Sequence, residues 1–154
     1  MVDSGASLWA CLQYIDLNMV RAGVVRHPEQ WQWTGWQEIM EHRKRYCLID
    51  QDKLIRRTGH KDLRQFREHY EHDLTNKIHQ RILQRESQWT EAVAVGIEAF
   101  VKSVTDHLPD RRRWQIEEKT VGQSKGSILR EPSPPYMRFL APKNAAKALS
   151  RGLK

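Results

Sequence analysis

Apolar residues recur at three- and four-residue intervals from the first turns of the chain, at Leu8, Cys11, Leu12, Ile15 and Met19. That spacing is the stripe of a half-buried helix. Asp3, Ser4 and Ser7 stand where N-caps belong and Gly23 stands as the C′ residue, so the pattern predicts one helix running to about Ala22. Tyr14, Asn18 and Arg21 fall on an adjoining face. A short exit comes next, with Pro28 placed to begin the next turn. Trp31, Trp33 and Trp36 then crowd around Gly35. So much apolar area in a short segment is expected to pack the first helix onto the next part of the chain, and stacking on nucleic-acid bases is the functional alternative.

Further along, Asp50 can cap a short helix through Thr58 that Gly59 ends. Asp62 can cap a second helix carrying Leu63, Phe66, Tyr70, Leu74, Ile78 and Ile82. Two helices joined across Gly59-His60-Lys61 are compatible with a helix-turn-helix. The outer face of the second helix mixes Arg64, Arg67 and Lys77 with Glu68, Glu71 and Asp73, so a plain helical hairpin is the favoured reading. The stretch from Trp89 to Gly96 leads into a helix from about Ile97 to Leu108, with Phe100, Val101, Val104 and Leu108 on its apolar face and Pro109 as its stop. Residues 115–154 read as mostly irregular, with Ser127-Ile128-Leu129 a short extended piece. The expected fold class is mainly α: a tyrosine-bearing helix, a helical hairpin, a further helix and an irregular basic C-terminal tail. The expected divisions are 1–42, 43–108 and 109–154.

Composition narrows the classes. A chain of 154 residues holds one ordinary domain, or a small domain and a tail. No stretch approaches the roughly 18 apolar residues of a membrane span, and no basic-then-apolar leader opens the chain. Cys11 and Cys47 form no CxxC pair and read as reduced thiols of a cytoplasmic protein, with no membrane partner. The net charge of +7 lies entirely in 109–154, where 11 Lys and Arg face 4 Asp and Glu. A basic tail on a neutral body adds sequence-independent affinity for phosphates. Arg43, Lys44 and Arg45, with Arg111, Arg112 and Arg113, are therefore expected DNA contacts.

The segment Tyr14-Ile15-Asp16-Leu17-Asn18-Met19-Val20-Arg21-Ala22-Gly23 closely resembles the signature of the single-tyrosine HUH transposases, in particular the REP-associated tyrosine transposases. The resemblance continues through His27-Pro28 and the Trp-rich segment, and more weakly to about residue 108. It implies that Tyr14 is a nucleophile that attacks a phosphodiester and forms a phosphotyrosine link to the 5′ phosphate of single-stranded DNA. Such an attack needs a nearby cation or base to offset a phenol pKa of about 10 and a metal to neutralise the scissile phosphate. The resemblance further implies that Asn18 is a metal ligand for Mg2+ and that Arg21 belongs to the DNA-binding set. In the family the tyrosine helix packs on an antiparallel sheet that carries a metal-binding His-hydrophobic-His pair.

Two departures stand out. Met19 replaces the family's usual proline, and no His-hydrophobic-His occurs among the seven histidines. His69 and His72, three apart, read as a surface pair. Because the family's histidine pair lies well upstream of the tyrosine, the resemblance implies an N-terminally truncated remnant of an α/β nuclease domain whose tyrosine helix has no sheet to cover. The expectation is a transposase-related DNA-binding protein, inactive alone, acting on single-stranded or hairpin DNA as a homo-oligomer or with a complementing transposase chain. A non-enzymatic nucleic-acid-binding module and an unselected gene remnant are the alternatives.

Overall fold

A computed structural model describes residues 1–3, 5–41, 47–109, 114–121 and 124–131. The expected contacts Arg43, Lys44, Arg45, Arg111, Arg112 and Arg113, the Ser4 cap and the tail from 132 lie outside the described residues. Within them the chain is mainly α, with seven α-helices and one small sheet. No helix among the described residues is long and apolar enough to cross a membrane.

The hairpin forms where its caps stand. α4 (Gln51–Thr58) begins at Asp50, whose Oδ1 accepts the Lys53 N–H at 2.9 Å, and α5 (Leu63–His79) begins at Asp62, whose Oδ1 accepts the Gln65 N–H at 2.8 Å. Gly59 closes α4 at φ 79°, a conformation that costs glycine little, and lets the His60 N–H reach the Ile55 carbonyl at 3.1 Å. Phe66, Tyr70 and Leu74 recur every four residues on α5 and are fully buried. With Leu17, Val20, Trp36, Ile39, Leu54 and Ile55 they make the main core. Ile82 does not extend that stripe. The helix ends at His79, the chain reverses through Arg81 at φ 55°, and Ile82 is left exposed.

The first helix differs from the expected single rod. α1 (Ala6–Asp16) stops, Leu17 breaks the run, and α2 (Asn18–Arg21) follows, with Gly23 at φ 72° as the expected terminator. Gly5 is the N-cap of α1, Ser7 lies inside the helix, and Asp3 Oδ2 instead accepts the Ile97 N–H at 3.3 Å. The buried face is rotated as well. Ser7, Ala10, Gln13, Tyr14, Asp16, Leu17 and Val20 are buried, whereas Ile15 is 53% exposed. Polar residues occupy that face because partners meet them there: Gln13 Nε2 donates to Asp73 Oδ2 at 3.2 Å. A count of apolar spacing does not register such positions.

The region expected to be irregular contains a hairpin. β2 (Gln115–Val121) and β3 (Ser124–Arg130) pair antiparallel, and β1 (Ala94–Gly96) joins the other edge of β3, with Ala94 opposite Leu129. The expected extended piece Ser127–Leu129 lies inside β3. Six of the seven β2 residues are exposed, so β2 shows no apolar alternation and is held largely by backbone pairing. α7 (Glu98–His107) covers the sheet with Val101 and Val104 against Ala94 and Leu129. The tyrosine helix therefore does have a sheet to cover: Ala10 of α1 packs with Val95 and Val121. The strands that provide it lie after the tyrosine in the chain.

Between these parts run a 3-10 turn (Pro28–Gln30), begun by Pro28 as expected, and the short helices α3 (Gly35–Met40) and α6 (Gln88–Glu91). The tryptophan cluster divides. Trp36 is buried, Trp31 half-buried, and Trp33 is 76% exposed.

The opening residues are stitched onto β1. The Asp3 N–H donates to the Val95 carbonyl and the Val95 N–H to the Met1 carbonyl, both at 3.0 Å. Gly96 allows this approach, since a Cβ there would stand 2.4 Å from Asp3 Cβ and 2.7 Å from the Phe100 ring. Gly96→Ala is expected to destabilise the fold by about 1–3 kcal/mol, read as a lower urea midpoint.

Candidate functional site

The site is built on a buried carboxylate. Asp16, the last residue of α1, is 2% exposed and accepts the Tyr70 hydroxyl of α5 at 2.7 Å. The backbone N–H groups of Gly35 and Trp36, at the start of α3, also donate to it. One side chain thereby fixes the end of α1 to α3 and α5, and α2 starts two residues later. Burial pushes the Asp16 carboxyl above its usual range, against the lowering pull of its three donors. The Tyr70 phenol is pushed well above its ordinary value by burial and by Asp16, and remains a donor.

On this support three signature residues meet. The Arg21 guanidinium carbon lies 4.1 Å from the centre of the Tyr14 ring, a cation–π contact. Its Nη1 donates to Asn18 Oδ1, and its Nε donates to the Leu83 carbonyl at 3.0 Å. The Tyr14 ring is 7% exposed and has Trp89 beside it at 6.2 Å between ring centres. The Tyr14 hydroxyl makes no hydrogen bond among the described residues. Lys77 of α5 is half-buried nearby. Burial lowers the pKa of its ammonium group, Arg21 adds to the lowering, and Glu86 and Asp73 oppose it.

The structure thus brings Tyr14, Asn18 and Arg21 together. It does not make the outer face of α5 a free basic surface. Arg64 pairs with Glu68 at 2.9 Å, and Arg67 Nε donates to the Ile39 carbonyl at 2.8 Å. Glu71 accepts the Trp36 indole N–H at 3.0 Å, and Asp73 accepts that of Trp9 at 2.9 Å. These charges are paired within the chain, Arg64 and Glu68 at the surface and the others against buried or half-buried partners. His69 and His72 share an open cleft of about 540 Å³ with His60, Trp9 and Asp73.

Asp16, Leu83 and Trp89 were not legible as site residues. Asp16 did carry one signal, a carboxylate set within an otherwise apolar turn between Tyr14 and Asn18. Leu83 acts through its carbonyl, which no side-chain pattern encodes. Asn18 Oδ1 accepts from the Arg21 guanidinium, so an Mg2+ held there would share that oxygen with a second cation. Among the described residues no three His, Cys, Asp or Glu side chains stand in metal-holding positions. No family model matches the chain, and neither a curated protein nor a solved structure matches it.

The Asp16 contacts make a pH prediction. A folded pKa above the unfolded value means that the folded state binds the proton more tightly. Ionised Asp16 therefore subtracts from stability above its folded pKa, and the deficit vanishes as pH falls to the unfolded value of about 3.9. Between pH 7 and pH 4 the wild type is expected to gain stability relative to Asp16→Asn, measured by chemical denaturation at each pH. Tyr70→Phe, which leaves the carboxylate one donor short, is expected to cost about 1–3 kcal/mol at pH 7.

Proposed function

We propose that the chain is a transposase-related DNA-binding protein that holds single-stranded or hairpin DNA against the face formed by Tyr14, Asn18 and Arg21. The observation that carries this reading is the stacking of Arg21 on Tyr14 while it is bonded to Asn18. Among the described residues two of the five guanidinium N–H groups are used by Asn18 and Leu83, which leaves donors for a phosphate oxygen beside a phenol whose hydroxyl has no partner among those residues. The half-buried Lys77 adds positive charge to the same region.

Cleavage by this chain alone is not part of the proposal. The family's chemistry needs a histidine pair, and the chain contains no His-hydrophobic-His. The three described strands carry no histidine. Descent from a nuclease domain therefore rests on the signature and on the tyrosine helix. Mg2+ chemistry would require a complementing chain to supply the missing ligands, with Tyr14 as the attacking oxygen.

Fluorescence anisotropy with a single-stranded hairpin oligonucleotide tests the reading. Wild-type binding is expected to weaken with salt, and Arg21→Ala to reduce the salt slope by about one. Tyr14→Phe keeps the ring beneath Arg21 and is expected to retain binding. With Mg2+ and a separate histidine-bearing domain, a covalent protein–DNA adduct is expected on a denaturing gel and is abolished by Tyr14→Phe. Salt-insensitive binding, or affinity unchanged in Arg21→Ala, refutes the site.

A further inference from the structure

The cations of the molecule are unevenly paired. Arg64, Arg85, Lys102 and Arg130 each have a carboxylate partner, and Arg67 Nε is held by the Ile39 carbonyl. Lys53, Arg56 and Arg57 of α4 and Lys61 of the turn after it are exposed, and their side chains make no ion pair or hydrogen bond among the described residues. Leu54 and Ile55 are buried in the main core. Positions 53, 56 and 57, spaced i, i+3 and i+4, therefore share the face of α4 that points to solvent. None of the three nearby acids pairs with them. Asp50 and Asp62 turn their Oδ1 atoms to backbone N–H groups at the starts of α4 and α5. Asp52 stands in the first turn of α4, where the helix dipole favours a carboxylate.

We propose that the outer face of α4 holds the phosphate backbone of a duplex stem, as a second DNA contact beyond the Tyr14 face. The inference rests on the proposed binding of hairpin DNA and assigns a surface to its paired part. Three cations within about one turn of helix match a polyanion that carries one charge per about 1.7 Å of duplex. α4 carries no aromatic side chain on which an unpaired base could stack, which favours the stem over the single strand. The outer arginines of α5 are not available for this role, since Arg64 and Arg67 are bonded within the chain. The Arg57 carbonyl accepts the Gly5 N–H at 2.6 Å, which ties the end of α4 to the residue before α1. Asn18 lies just beyond the other end of α1, about 16 Å along the helix axis. About five base pairs of stem cover that distance.

Anisotropy titrations of the full chain over a range of salt test it, with a hairpin bearing a single-stranded extension and with the extension alone. The triple variant Lys53→Ala, Arg56→Ala, Arg57→Ala changes only exposed side chains and is expected to keep the wild-type circular dichroism spectrum. On the hairpin its log–log salt slope is expected to be smaller than wild type by about two to three. On the extension alone it is expected to match wild type. Arg56→Ala by itself is expected to lower the hairpin slope by about one, and Arg56→Lys to restore it. A slope unchanged in both alanine variants, or lowered equally on hairpin and extension, overturns the proposal and leaves the Tyr14 face standing. A slope lowered by the α4 variants but untouched by Arg21→Ala supports this surface and refutes the Tyr14 face. No binding of either oligonucleotide overturns both. Displacement of the hairpin by a poly-glutamate peptide at equal charge concentration assigns α4 to an acidic protein partner and overturns the proposal.

Discussion

A carboxylate with almost no exposure to water cannot be left short of donors, and this constraint organises the helical half of the molecule. Asp16 receives the Tyr70 hydroxyl and the first backbone N–H groups of α3. These donors come from two distant parts of the chain, so satisfying the charge brings those parts together. The apolar core supplies most of the driving force, but Leu17, Phe66 and Leu74 would tolerate neighbouring registers. The carboxylate does not: a shift of one residue would remove a donor and leave a buried charge short of a partner.

The candidate site inherits that rigidity. Tyr14 lies two residues before Asp16 and Asn18 two residues after it, so the turn that fixes the carboxylate also sets the phenol and the carboxamide. Arg21 is then held on three sides, by the Tyr14 ring, by Asn18 and by the Leu83 carbonyl. Leu83 packs against the main core, so the position of the guanidinium depends on packing far from the signature itself.

How much was legible depends on the kind of force involved. Caps and glycine terminators are local, so α4 and the start of α5 could be read almost to the residue from Asp50, Gly59 and Asp62, while the end of α5, which has no such mark, was placed too late at Ile82. The Tyr14–Asn18–Arg21 face was legible for the same reason, since i and i+4 neighbours meet whatever lies beyond them. Long-range satisfaction was not legible. Gln13 and Asp16 look like surface residues until Asp73 and Tyr70 are brought opposite them. β2 left no apolar signal because Gln115, Glu117 and Lys119 alternate with residues equally exposed, leaving backbone pairing as its main bond, whereas β3 showed only in Ser127-Ile128-Leu129. Ile15 shows the converse error, an apolar residue at the right interval that faces outward.

The attachment of Met1 and Asp3 to Val95 has a consequence for the order of events during synthesis. These residues leave the ribosome with their backbone partners more than ninety positions behind them, and the tyrosine helix begins immediately after them. Until β1 emerges, this segment must wait with its hydrogen-bonding groups in water while the helical block between them collapses. A contact of such sequence separation forms late and slowly. The segment ahead of the tyrosine helix therefore cannot be anchored before the first 95 residues have been made.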